Sequence, residues 1–182
     1  MQTFLIAPVG FDAGLTSVSL GLVRALERDG LKVGFVKPIA QGGDGAEPER
    51  SSHFARELCH LNAPTPISME RAEHLLSQGQ LDQLLEEVVS LYQQAAANVD
   101  VVIVEGLVQD QQHVFTAYIN SKIARTLQCE VVLVGAGGEL ASHELAEKLE
   151  IAMQAFSGGS SQIAGYILNR LPAGQNARTL AA

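Results

Sequence analysis

Five short apolar runs constrain the fold of this chain more than any other feature. The first four have nearly continuous instead of alternating hydrophobicity and span residues 3–8, 32–38, 99–106 and 130–136, and a fifth run over residues 162–171 closes the series. Continuous hydrophobicity is typical of strands in parallel sheets, because helices cover both faces of such a sheet. We therefore expect the first four runs to be strands that are buried on both sides, with the fifth run as a further strand.

Helical patterns separate these runs. They span residues 16–29, 51–61, 81–97, 115–127 and 142–156. Strands that alternate with helices predict right-handed crossovers, and hence a three-layer α/β/α fold with a mostly parallel sheet. Ligands of such folds bind at the carboxyl ends of the strands, so polar residues at those ends are the first candidates for a site.

Composition limits both the architecture and the partners. The chain has 182 residues, of which 47% are hydrophobic and 18% charged, which suits one sizeable core. We expect one domain over residues 1–171, followed by a polar linker or tail over 172–182 that leads to further domains. The net charge of −8, with scattered lysine and arginine, excludes a nucleic-acid surface, which needs clustered positive charge.

The remaining composition predicts a cytoplasmic protein without a membrane partner. No apolar stretch approaches the ~18 residues that a membrane span requires. Cys59 and Cys129 lie far apart and without metal-ligand spacing, so we expect buried thiols in a reducing compartment.

The first run leads into a glycine-bearing loop and an amphipathic helix, which is the layout of a phosphate-binding loop. The pattern G-x-x-x-x-G-K-[ST] requires glycine at position 9 and lysine at position 15, but this chain has Val9 and Leu15. The missing lysine argues against fast phosphoryl transfer, which depends on neutralising charge on the transferred group.

Other loop positions are retained, namely Gly10, Gly14, Thr16 and Ser17. Backbone N–H groups at the helix start can still bind an anion, and the Thr16 hydroxyl is a potential metal ligand. The alternative is structural: the two glycines allow a tight turn, and Thr16 caps the helix.

Two charged residues follow strands at the same edge of the sheet. Lys37, before Pro38, could supply the missing positive charge, or it could be a solvated lysine at a strand end. Glu105, before Gly106, is placed to hold magnesium or its waters, although a strand-end carboxylate can equally cap a helix or occupy a turn.

Further candidates carry weaker signals. Asp12 and Asp44 are loop carboxylates, and Asn169 with Arg170 ends the last run, where an amide could pair with a purine edge. The histidines show no nucleophile–base spacing, so no catalytic residue is assigned; they are His53, His60, His74, His113 and His143.

Several segments resemble the N-terminal domain of long-form bacterial phosphate acetyltransferase. They are "PVGFDAGLTSVSLGLVRALERDGLKVGFVKPIAQ", "VVIVEGLV", "NSKIARTL" and "YILNRL". The resemblance extends to about Leu171 and includes leucine at the lysine position. That domain is similar to dethiobiotin synthetase and the cobyrinic acid amide synthases, which use ATP and magnesium. The resemblance therefore implies a phosphate-loop NTPase-like, dethiobiotin synthetase-like fold.

Similarity to the synthetases implies roles for individual residues. Lys37 would meet phosphate and substrate, Glu105 would hold magnesium, and Asn169 would lie near the base. The expected ligand contacts are Gly10, Asp12, Gly14, Thr16, Ser17, Lys37 and Asn169, with Thr16 and Glu105 on the metal.

The resemblance implies a regulatory and oligomerisation domain that is not catalytic alone. A separate C-terminal domain would transfer acetyl between coenzyme A and phosphate. The implied partners are that domain, a further copy of the chain and a small-molecule effector such as NADH or ATP with magnesium. Two alternatives stay open: a freestanding ATP- and magnesium-dependent ligase like dethiobiotin synthetase, and an interaction scaffold without a ligand.

Overall fold

The computed structural model of the protein describes residues 1–42, 48–109, 115–137, 142–156 and 162–171. Asp44, His113 and the predicted tail over 172–182 lie outside these ranges.

The described chain forms one five-stranded sheet in which every pairing is parallel. The strands are β1 (Gln2–Val9), β2 (Val33–Val36), β3 (Val101–Glu105), β4 (Glu130–Ala136) and β5 (Ile163–Asn169). Their order is β2-β3-β1-β4-β5. The central strand β1 pairs with β3 on one side and β4 on the other, so the strand order reverses at its end. A ligand site is expected at that point in an α/β sheet.

Six helices accompany the sheet in the described ranges: α1 (Leu15–Arg28), α2 (Arg50–Cys59), α3 (Met69–Ser77), α4 (Leu81–Ala95), α5 (Thr116–Thr126) and α6 (Ser142–Phe156). Five of them confirm the predicted helical patterns. The sequence reading missed α3, which has nine residues and buries only Ala72 and Leu75. Such a short helix repeats its apolar face too few times to give a clear period.

Two apolar clusters fill the space on either side of the sheet. Leu5 and Ile6 are consecutive in β1, are both fully buried and belong to different clusters. All five residues of β3 are buried as well. The interpretation of continuous apolar runs as strands covered on both faces is therefore confirmed for the central strands, and the three-layer α/β/α architecture with it.

Both cysteines are buried free thiols, as predicted. Burial raises the pKa of the Cys129 thiol to about 12. Burial also raises the pKa of the Cys59 thiol, although the positive charge of the nearby Arg24 guanidinium partly lowers it again. In the described ranges, no helix combines the length and apolarity needed to span a bilayer.

The packing of α4 against β2 leaves no room for a side chain at Gly34. A Cβ atom there would collide with the backbone carbonyl oxygen of Ala95 at the end of α4. We predict that Gly34→Ala lowers the free energy of unfolding by about 1–3 kcal/mol, as overpacking of a core does. Urea denaturation measures the change.

The control is Gly21→Ala, in the exposed middle of α1, where an added Cβ meets nothing within 4 Å. This change should raise the free energy of unfolding by about 1 kcal/mol, because alanine is the better helix former. Equal effects of the two substitutions would contradict the described packing of α4 on β2.

Candidate functional site

The loop between β1 and α1 has the backbone of an anion-binding turn. Positive φ angles occur at alternate residues: 81° at Gly10, 54° at Asp12 and 71° at Gly14. Alternating signs of φ are a feature of backbone nests, in which successive N–H groups converge on an anion. Gly14 is also the N-cap of α1, so the loop feeds directly into the positive end of the helix dipole.

The two residues after Gly14 differ in what they contact. Leu15, at the position of the missing lysine, is 3% exposed and packs in the apolar cluster that contains Ile6. The alternative that Thr16 caps α1 is wrong, because the cap is Gly14 and no side chain caps this helix. The Thr16 hydroxyl instead lies 2.9 Å from the Ser51 hydroxyl and donates to Glu105 Oε1 at 3.3 Å.

Glu105 is the centre of the site. It ends β3, is 1% exposed, and its Oε1 atom accepts a hydrogen bond from Ser51 Oγ at 2.7 Å. Lys37 Nζ lies 3.4 Å from the same oxygen. The other carboxylate oxygen, Oε2, is buried and has no hydrogen-bond partner among the described residues. Side chains from α1, β3, α2 and the end of β2 thus meet at one carboxylate.

Lys37 is buried, not solvated, which overturns the alternative of a solvated strand-end lysine. Its side chain is 2% exposed. The ammonium donates to the carbonyl oxygen of Gly106 at 2.6 Å and to Gln41 Oε1 at 3.3 Å. The ammonium is thus surrounded by these two acceptors and by the Glu105 carboxylate, with which it forms an ion pair.

Two side-chain amides fix the backbone that follows Glu105. Gln41 accepts from the N–H of Val108 at 2.7 Å and donates to its carbonyl at 2.8 Å. Asn120, on α5, makes the same pair of bonds with Leu107, at 2.7 and 2.9 Å. The two residues that follow Gly106 are therefore both fixed by side-chain amides.

Ser51 reaches the site because of the way α2 begins. The Glu49 carboxylate accepts hydrogen bonds from the backbone N–H groups of Ser51 and Ser52, at 2.9 and 2.8 Å. This N-cap satisfies two of the free donors at the helix start and fixes the first turn. It places the Ser51 hydroxyl against Glu105.

The candidates at the end of β5 contact the loop rather than the carboxylate. Asn169 donates from Nδ2 to the carbonyl of Ala13 at 3.0 Å and accepts from the N–H of Arg170 at 2.9 Å. The Arg170 guanidinium lies 3.8 Å from Asp12 Oδ1. The remaining candidate Ser17 is exposed on α1.

The structure thus brings together Thr16, Lys37 and Glu105, as their positions at strand ends and in the loop predict. The sequence reading missed Gln41, Ser51 and Asn120. Gln41 and Asn120 lie within two of the segments that carry the family resemblance, so those segments were the available signal. No local pattern marks Ser51, because its role depends on how α2 is placed.

The oxygen donors at this point fit magnesium in type. Glu105 Oε2 has no partner in the described part of the chain, and the Thr16 and Ser51 hydroxyls are close to the same carboxylate. Magnesium prefers such oxygen ligands. The described ranges hold no group of three or more histidine, cysteine, aspartate or glutamate side chains that could bind a metal.

One cleft lined by described residues adjoins the loop. It has a volume of about 200 Å³, lies between the loop and α6, and is lined by Gly10, Phe11, Lys148 and Ile151 among others. A cavity of about 640 Å³ is at the opposite end of the sheet, beside Thr3, Tyr92 and Asp100. Of these two, the smaller lies where a ligand of the loop would bind.

Comparison with known proteins identifies the relatives of this chain. A family model described as AAA domain matches residues 2–182. The phosphate acetyltransferase of Pseudomonas aeruginosa is 50% identical over 173 residues, which are 94% of this chain and 25% of that protein. The enzyme of Escherichia coli is 38% identical over an alignment 185 residues long, gaps included, which covers 98% of this chain and 26% of that protein. The chain spans about a quarter of the length of these relatives.

Solved structures share the fold at low identity. The kinase domain of the Escherichia coli tyrosine kinase ETK matches with a TM-score of 0.56 and 17% identity, covering 97% of this chain and 70% of that one. A DUF1611 family protein from Anabaena variabilis matches with a TM-score of 0.58 and 16% identity, covering 92% of this chain and 45% of that one. The predicted phosphate-loop type of α/β fold is confirmed.

The matches to phosphate acetyltransferases confirm the resemblance seen in the sequence. The chain belongs to the AAA domain family, and within it to the N-terminal domains of bacterial phosphate acetyltransferases.

Proposed function

We propose that this chain is the regulatory, non-catalytic N-terminal domain of a cytoplasmic phosphate acetyltransferase. A separate C-terminal domain transfers acetyl between coenzyme A and phosphate, while this domain binds a small-molecule effector, NADH or ATP with magnesium, and supports an oligomer. The proposal rests on one observation: the Lys37 ammonium is buried and pairs with Glu105 inside the protein.

Phosphoryl transfer needs a cation on the transferred group. Leu15, at the position of the loop lysine, is buried in the core and carries no charge. Lys37 is the natural replacement, but its buried ammonium already donates two hydrogen bonds inside the protein and pairs with Glu105 at 3.4 Å. An ammonium that neutralises Glu105 is a poor partner for a phosphate, so transfer would lose most of its electrostatic support.

Anion recognition does not require that lysine. The glycine loop and the N-terminus of α1 retain the backbone geometry that binds a phosphate group. Binding without transfer suits a regulatory site, because an effector needs only a different affinity for two states of the enzyme.

The ion pair at the centre of this proposal can be tested by stability. We predict that Lys37→Met lowers the free energy of unfolding by about 3–5 kcal/mol, because it leaves the buried Glu105 carboxylate without its cation. Urea denaturation measures the change.

The double variant Lys37→Met/Glu105→Gln should recover much of the loss, since it removes both charges. Lys32→Met, at an exposed lysine, should stay within about 0.5 kcal/mol of the parent protein. An effect of Lys37→Met as small as that of Lys32→Met would contradict the internal pairing.

The regulatory role predicts that effectors act through this domain. In a phosphate acetyltransferase that carries it, NADH or ATP should change the rate of acetyl phosphate formation, and deletion of residues 1–171 should abolish that response. A coupling of about 1–3 kcal/mol corresponds to a change of about 5–150-fold in affinity. Equal responses with and without the domain would overturn the proposal.

A point variant avoids the risks of deletion. Gly14→Ala places a Cβ against the Asn169 amide at a residue with a φ of 71°, so it should distort the loop and remove the response. The matched control is Gly79→Ala, whose φ is 70° but whose Cβ would meet nothing within 4 Å. The control should keep the response to effectors.

A further inference from the structure

Strand β5 differs from the rest of the sheet in its exposure. Its seven residues have the sequence IAGYILN, and each is at least partly exposed. All residues of β2 and β3 are buried. Since β5 is at the edge of the sheet, one side of its backbone has no strand partner among the described residues.

The sequence of β5 does not suit an exposed edge. Proteins protect such edges with short strands, charged residues or proline, because an apolar edge recruits another strand. The other edge, β2, has only four residues and is buried. β5 has seven residues, without a charge or a proline. The described residues cover this apolar strand only in part.

Tyr166 exposes a large apolar side chain on β5. It is 59% exposed and pairs in register with Leu133 of β4. The neighbouring strand β4 is covered by α6, where Met153 is 45% exposed. The free edge therefore belongs to a strand with an exposed aromatic side chain.

We propose that this free edge, with its exposed Tyr166, is the docking surface for the polypeptide that follows the domain in phosphate acetyltransferase. This inference rests on the proposed function only in placing the domain within such an enzyme. The docked segment adds a strand parallel to β5. A parallel strand requires a right-handed crossover of a dozen or more residues, which in α/β folds is usually a helix.

The length and position of the chain favour this occupant. This chain spans 25% of the Pseudomonas aeruginosa enzyme, so that relative is about four times as long. The described chain leaves the sheet at the end of β5 itself. A segment tethered there has an effective concentration in the millimolar range, so it competes well against a second copy of the chain.

Docking at β5 would connect the phosphate loop with the remainder of the enzyme. Asn169, the last residue of β5, donates a hydrogen bond to the Ala13 carbonyl inside the loop. The end of β5 thus contacts the phosphate loop, and the free edge of the same strand is where the following polypeptide would bind.

Cysteine labelling tests the docking directly. Tyr166→Cys is made both in this chain and in the longer phosphate acetyltransferase, and its rate of reaction with a maleimide is measured. We expect the rate to be roughly tenfold or more lower in the longer protein, because reaction then requires local opening. Both native cysteines of this chain are buried, and the unsubstituted longer protein gives the background rate of the other sample.

The matched control is Tyr118→Cys on α5, where the native side chain is 51% exposed. Its rate should be the same in both proteins. Equal rates for Tyr166→Cys in the two proteins would overturn the proposal, as would equal protection at both positions. Protection in this chain alone that grows with protein concentration would also overturn it, in favour of a second copy.

Hydrogen exchange gives a readout without substitution. The backbone amides of Ile163–Asn169 should exchange more slowly in the longer protein, while those of the already buried β3 should not change. Unchanged exchange in β5 would overturn the proposal. Neither experiment involves an effector. Docking at the β5 edge can therefore be disproved while the proposed regulatory role stands, and the regulatory role can be disproved while the docking stands.

Discussion

The buried pair of Lys37 and Glu105 is the interaction on which the site depends. Both side chains are about 2% exposed, so each has lost its water, and that loss costs several kcal/mol per charge unless it is offset. The offset comes from internal acceptors and donors: the Gly106 carbonyl and Gln41 for the ammonium, and the Ser51 and Thr16 hydroxyls for the carboxylate. The pair can exist only where these groups converge.

The parallel sheet provides that convergence. β2 and β3 are neighbours in register, so Lys37 and Glu105 leave the sheet side by side at its carboxyl edge. The loop after β1 brings Thr16 to the same edge, and the Glu49 cap of α2 brings Ser51. The neutral Leu15 belongs to the core, so Lys37 is the cation that balances Glu105.

Much of this arrangement could be predicted from the sequence. Continuous apolar runs indicated a parallel sheet, and a parallel sheet places the ends of its strands together, which brought Lys37 and Glu105 to one edge. The sequence could not show that Lys37 is buried, because that depends on a backbone carbonyl and on Gln41, and neither has a local pattern. Thr16 was misread as a possible cap for the same reason: its partners come from α2 and β3. Helix α3 was missed because nine residues contain too few apolar repeats.

The most direct test of the account is whether this chain releases ADP from ATP in the presence of magnesium. The buried Lys37 ammonium donates two hydrogen bonds inside the protein and pairs with Glu105, so we expect no magnesium-dependent release above that of buffer alone. ADP release that Thr16→Ala or Lys37→Met abolishes would contradict it, because it would show that the loop still transfers phosphate.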